Sequence, residues 1–242
     1  MLFYSVQLAA TLLLTWLARR FLDRRPLRDL GLRTGRGWCS DLLFGVALGG
    51  TLMGAIALIA WVGGWLQPQG YAWQTMSWGQ LLPQLTASFV LYLAVGISEE
   101  LAIRGYVMHN LADGLSMPWA VFISSALFGL LHMGNPNASW VSTFNIAVAG
   151  VLMAAGVLVT GSLWMSIGLH FGWNFFQGTI FGFPVSGTGG FHLIRHTVVG
   201  PEWLTGGPFG PEAGLTGLAA MILGTALIWL FGRARSGVQN AG

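Results

Sequence analysis

Lysine is absent from the sequence, cysteine occurs once, and only eight side chains are acidic against eleven arginines. A single cysteine, Cys39, leaves no internal disulfide, no thiolate metal cage and no CxxC redox pair. Charged residues fill 8% of the 242 positions, where an ordinary soluble domain carries about 25%. Apolar and aromatic residues fill 54%, more than one soluble core can hide. Several apolar runs approach the ~20 residues that a helix needs to cross a bilayer core, so the class is an all-α, polytopic transmembrane helical bundle. The lipid bilayer is the expected surrounding. Nucleic acid is not an expected partner: seven of the arginines, Arg19 to Arg36, fall in one short loop, where positive-inside bias accounts for them.

Seven spans are predicted, at 2–18, 42–62, 81–112, 118–135, 141–160, 162–182 and 214–231. The Gly-, Pro- and Trp-rich stretches 63–80 and 183–213 each allow an interfacial or re-entrant segment, which would raise the count to eight. No linker or repeat divides the chain, so residues 1–242 read as one integral membrane domain with a motif-bearing core at 81–182. The first run has no basic residue before it and no small-residue cleavage pattern after it, which favours a retained span over a removable signal. With the arginine-rich loop 19–41 in the cytoplasm, alternation places the N-terminus outside and the C-terminus, with Arg233 and Arg235, inside. Trp61, Trp65 and Trp140 then lie near the outer interface, and Trp16, Trp119, Trp164 and Trp229 near the inner one. Arginine in place of every lysine, with 36 glycines, is the usage of a GC-rich genome; the expected location is a bacterial inner (cytoplasmic) membrane.

Polar side chains within spans are costly and usually face the bundle interior, which makes them the shortlist for a site. They are Glu99, Glu100 and Arg104 on the third span, His132 on the fourth, and His170 and Asn174 on the sixth. Neighbours on a helix point about 100° apart, whereas residues four apart share a face. Glu100 therefore pairs with Arg104, and Glu99, five residues from Arg104, is left to be directed at chemistry. Phe128 with His132, and His170 with Asn174, are also four apart and can point toward one cavity. A carboxylate and a histidine could share a water, and the remaining His and Asn could stabilise an oxyanion. The competing reading for each is structural, since a Glu–Arg pair or a lone histidine in a span often serves helix–helix packing.

These residues form three motifs in order: EExxxR at Glu99-Glu100-Leu-Ala-Ile-Arg104, FxxxH at Phe128-Gly-Leu-Leu-His132, and HxxxN at His170-Phe-Gly-Trp-Asn174. In them the sequence resembles the CPBP family, the membrane-embedded CAAX-processing and bacteriocin-processing endopeptidases also called the Abi family. The resemblance implies a glutamate-dependent intramembrane endopeptidase without cofactor or metal, acting on a membrane-anchored protein or peptide. In it Glu99 and His132 activate water, His170 and Asn174 stabilise the oxyanion, and Glu100, Arg104 and Phe128 support the site. Bacterial members are similar to enzymes of leader-peptide processing, bacteriocin immunity or trimming of anchored proteins, whereas prenylated CAAX substrates belong mainly to the eukaryotic and archaeal branches.

Two other readings compete. A zinc-dependent membrane protease needs a ligand set, but HExxH is absent, and His192-Leu-Ile-Arg-His196 has no Glu between its histidines. A non-catalytic immunity or scaffold protein of the same fold would tolerate replacement of Glu99. The sequence carries no signal of oligomeric state. One geometric tension arises at 1.5 Å per residue: His132 falls roughly 21 Å and His170 roughly 12 Å from the cytoplasmic helix ends, while Glu99 falls roughly 27 Å from the outer end of its own helix. The third helix is therefore expected to project beyond the bilayer on the cytoplasmic side.

Overall fold

A computed structural model of the chain describes residues 2–35 and 37–239; Arg36 of the arginine-rich loop lies outside the described residues. Among these residues helices occupy all seven predicted positions. Helix α1 (Leu2–Leu17) continues into a π-helical turn, Ala18–Asp23, and α2 is Trp38–Val62. Helix α3 (Trp78–Glu100) runs through a π-helical stretch, Leu101–Val107, into α4 (Met108–Gly114) as one rod of 37 residues. Then follow α5 (Met117–Leu131), α6 (Trp140–Thr160), α7 (Trp164–Asn174) with its π-helical extension Phe175–Ile180, a four-residue α8 (Glu202–Thr205) and α9 (Leu215–Gln239). Five of these segments are long and apolar enough to cross a membrane: Trp38–Val62, Trp78–Gly114, Met117–Gly134, Trp140–Thr160 and Leu215–Arg235. The chain is a multi-pass helical membrane protein.

The helix starts follow local chemistry. Pro118 sits in the first turn of α5, where its missing N–H costs nothing. Ser139 and Ser142 cap α6 reciprocally, each side-chain oxygen accepting the other's backbone N–H at 2.8–3.1 Å. Exposed tryptophans gather at both ends of the bundle: Trp61, Trp78 and Trp140 at one, Trp16, Trp119 and Trp229 at the end bearing the arginine-rich loop. That distribution suits two membrane interfaces.

Helices α2 and α7 make the closest pairing, along Gly45 and Gly49 on one and Gly168 and Gly172 on the other. A β-carbon on Gly168 would fall 2.1 Å from the Leu42 carbonyl oxygen, and one on Gly172 would fall 2.5 Å from that of Val46. In lipid such backbone approach supplies the dispersion contacts that hold helices together. Gly168→Ala is therefore expected to destabilise the protein by about 1–3 kcal/mol in a micelle unfolding titration. Gly54→Ala should be near neutral, because its β-carbon would meet only the Phe181 ring edge at an ordinary 3.6 Å. The α2–α7 pair also anchors the largest core cluster, with Leu52, Met53, Leu152, Met165, Leu169 and Met221.

The two long connections were expected to lie along the interface or dip back. They pair with each other, as strands β1 (Leu66–Tyr71) and β2 (Ile194–Val198), antiparallel with a bulge between Pro68 and Gly70. The second connection also folds back into the bundle, burying Phe183, Val185, Phe209 and Glu212. His192 and His196 tie it down, donating from Nδ1 to the Gly178 carbonyl and from Nε2 to the Phe181 carbonyl, each at 2.7 Å. One ring nitrogen of each histidine is thus occupied by backbone.

Candidate active site

Glu99 and His132 come to one depth once positions are counted from the turn joining α4 to α5. Glu99 lies fifteen residues before Gly114, and His132 lies fifteen residues after Met117. Two antiparallel helices joined by a short turn bring such positions to one level, roughly 22 Å from the turn. Counting from the outer end misled because the rod of 37 residues is longer than a bilayer core of about 30 Å, so its outer end does not mark the membrane face.

At that level the Oε2 atom of Glu99 stands 3.9 Å from His132 Nε2 and 3.8 Å from His170 Nε2. Neither gap is a direct hydrogen bond, and a single water oxygen can bridge either. The His132 ring is fixed by Nδ1, which donates to the Phe128 carbonyl at 2.8 Å. A carbonyl only accepts, so the neutral ring presents its Nε2 lone pair to Glu99. His170 is fixed by Nδ1 at 2.9 Å from Oε1 of Glu100. The same oxygen accepts from Arg104 Nη1 at 3.0 Å, and the Glu100 and Arg104 side chains are fully buried. With Nδ1 committed to a carboxylate, His170 donates through Nε2 only as the imidazolium.

Phe128 organises this cluster. The Arg104 guanidinium carbon lies 4.1 Å above its ring centroid, and the His132 and His170 rings meet it edge-on at 4.6 and 6.1 Å. Asn174 is buried one turn after His170. Among the described residues its amide makes no hydrogen bond, and it faces the same space. That space is a cavity of about 500 Å³, walled by Tyr4, Gln7 and Thr11 of α1, by Tyr92, Val95 and Glu99 of α3, and by His132, His170 and Asn174. All four residues expected to act on substrate therefore line one cavity, and the three expected to support them lie beside or behind it. A π-helical stretch follows directly after Glu100, and another directly after Asn174; such insertions often mark functional sites.

Sequence reasoning missed a third acid. Glu212, in the turn before α9, lines a small inner pocket with His132, His170, Asn174 and Ser186. It accepts hydrogen bonds from Gln177 Nε2 at 2.6 Å and from the Ser186 backbone N–H and hydroxyl, both at 3.2 Å. Ser186 has φ of +46°, in the left-handed region that costs a β-carbon-bearing residue. The Asn135 amide donates to the Ser186 carbonyl at 3.0 Å, so both sides of the strained residue are held. The available signal was scarcity: Glu212 is one of eight acids, but a shortlist confined to spans passed over it.

Burial pushes the Glu212 carboxyl up from 4.5 to about 7, against the hydrogen bonds from Gln177 and Ser186 that favour its charged form. Its neutral form is thus favoured in the folded state. The corresponding stability is fully present below about pH 4.5 and is lost as pH rises through about 7. Thermal unfolding in micelles should show wild type losing up to roughly 3 kcal/mol across that window. Glu212→Gln should flatten this dependence, and an unchanged slope in the variant would contradict the assignment.

Comparison with known proteins agrees with the motifs. Residues 81–176 match the profile of the type II CAAX prenyl endopeptidase Rce1-like family. The motif-bearing core of the chain is thus similar to the Rce1-like family. The chain is also similar to the uncharacterized protein YyaK of Bacillus subtilis (strain 168), 28% identical over 166 residues. That alignment covers 66% of this chain and 54% of YyaK, so the chain matches about half of that relative's length. No solved structure matches. The matched stretch runs from α3 to the start of the π-helical extension of α7 and contains every motif residue from Glu99 to Asn174. Helix α1, Ser186 and Glu212 lie outside it and still contribute to the cavities.

Proposed function

We propose that the chain is an intramembrane endopeptidase of glutamic type, hydrolysing a peptide bond in a membrane-anchored protein or peptide. The observation that carries this reading is the approach of Glu99 Oε2 to the Nε2 atoms of His132 and His170, at 3.9 and 3.8 Å, beside a cavity within a membrane bundle. A water held between Glu99 and His132 donates one hydrogen to each. Glu99 takes the proton as the water oxygen adds to the scissile carbonyl. The resulting oxyanion lies toward His170, which donates through Nε2 as an imidazolium, and toward the Asn174 amide. Collapse breaks the C–N bond, the proton passes to the departing nitrogen, and a carboxylate and an amine leave.

Glu100 and Arg104 act through His170, whose ring they orient, and Phe128 holds both imidazoles. The charge distribution supports a cytoplasmic arginine-rich loop 19–41 and C-terminus in a bacterial inner membrane. The Rce1-like match supports the protease class.

Comparison of membrane proteomes from wild-type and Glu99→Gln cells tests the reading. Precursor termini of one or a few anchored proteins should accumulate in the variant. Identical termini in both strains, with the variant protein inserted at normal levels, would favour the scaffold reading.

A further inference from the structure

A separate cavity, of about 370 Å³, lies at the far end of α1. Its wall is formed by Trp16, Arg19, Arg20, Arg24, Arg25 and Leu27. The chain folds back here because Arg24 adopts a left-handed conformation, φ +55°, after the π-helical turn, and the Arg25 N–H bonds the Arg19 carbonyl at 2.9 Å. That turn brings four arginines to the wall of one space. Two are compensated: Arg19 pairs with Asp23 at 3.0 Å, and Arg25 pairs with Asp113 at 2.5 Å. Among the described residues the side chains of Arg20 and Arg24 make no hydrogen bond or ion pair, which leaves a formal surplus of two positive charges.

A further feature indicates an anion. The Arg19 side chain is only 4% exposed, and its Nε is buried without a hydrogen-bond partner. Its guanidinium is thus held in place by Asp23 with donor capacity to spare. The space could take more than ten waters at ~30 Å³ each, enough for a phosphate and the glycerol attached to it. The apolar surroundings discriminate between a free ion and a lipid. Phe21 and Leu22, on the same turn, are 65% and 76% exposed, and Trp16 is 47% exposed with its ring edge-on to Phe21. A soluble anion has no use for that surface, whereas acyl chains do.

We infer that this cavity binds the phosphate of an anionic phospholipid headgroup, with Arg20 and Arg24 as its principal ligands, Arg19 as a buried donor and Phe21 and Leu22 against the acyl chains. The inference stands independently of the proposed peptidase activity. It has a structural consequence, because the Arg25–Asp113 pair links this loop to the end of α4, and α1 forms a wall of the candidate active-site cavity. A lipid seated here braces α1 against the helix that carries Glu99.

Titration of the purified full-length protein in neutral detergent micelles, read by native mass spectrometry, tests the site. The probes are dioleoylphosphatidylglycerol, dioleoylphosphatidylcholine and inorganic phosphate. Wild type should bind the phosphatidylglycerol in preference to the phosphatidylcholine. Each arginine near an anionic lipid contributes roughly fivefold in affinity, so Arg20→Gln/Arg24→Gln should raise Kd about 30-fold. Arg28→Gln/Arg33→Gln removes the same charge from exposed positions that do not line the cavity, and at about 0.15 M salt it should shift Kd less than about threefold. Equal weakening in both double variants, or in neither, would overturn the site. Displacement of phosphatidylglycerol by inorganic phosphate at comparable concentration would overturn the lipid assignment.

Discussion

Glu99→Gln is expected to lower turnover of a membrane-anchored substrate by about 10³-fold, within the 10²–10⁴-fold range for a positioned general base. The amide keeps the volume and the polar contacts of the carboxyl but cannot accept a proton from water. Glu99 is also the less buried of the two acids, its side chain 24% exposed against 0% for Glu100. The variant should therefore insert, purify and melt like wild type, with the loss confined to kcat rather than KM. His132→Ala should fall into the same range. In the proposed mechanism Glu99 and His132 act on one water, so the double variant should be little worse than either single change. Steady-state cleavage of a fluorogenic anchored peptide by the four proteins measures all of this.

Arg104→Met is expected to act on the fold first. Arg104 and Glu100 are buried at 0% exposure and share a 3.0 Å bond, so removing the guanidinium strands a carboxylate within the bundle. Breaking a buried pair from one side costs about 3–5 kcal/mol, whereas removing both charges is often nearly neutral. Glu100→Gln/Arg104→Met should therefore recover much of the stability that Arg104→Met loses in a denaturant titration in micelles. It should not recover activity, because Glu100 also holds His170 through Nδ1 at 2.9 Å. That separation of stability from turnover identifies Glu100 and Arg104 as positioning residues. Loss of stability in the double variant equal to that in Arg104→Met would mean that the ion pair is not the source of the effect.

The different directions of the adjacent acids were legible from helical spacing alone: a residue four from Arg104 forms the pair, and its neighbour points elsewhere. Five of the seven predicted spans were legible for a similar reason, because lipid requires each crossing to be a continuous apolar helix. What stayed hidden depends on contacts between distant parts of the chain. Leu66–Tyr71 contains Pro68 and lacks strand alternation, and it becomes a strand only because Ile194–Val198 lies alongside it. The π-helical stretches after Glu100 and Asn174 leave no mark in hydropathy. Glu212 sits in a Gly- and Pro-rich turn that reads as surface, and its burial beside the inner pocket follows from how residues 183–213 fold back. The depth of Glu99 was misjudged from the wrong helix end, an error that the short α4–α5 turn removes.

Cleavage of an anchored peptide by the purified, vesicle-reconstituted protein after treatment with a strong chelator, with wild type and Glu99→Gln side by side, tests the central claim most directly. The account predicts that wild type still generates new termini and that Glu99→Gln generates none above background. Retained cleavage by Glu99→Gln, or wild-type activity lost to the chelator and restored by zinc alone, would contradict it.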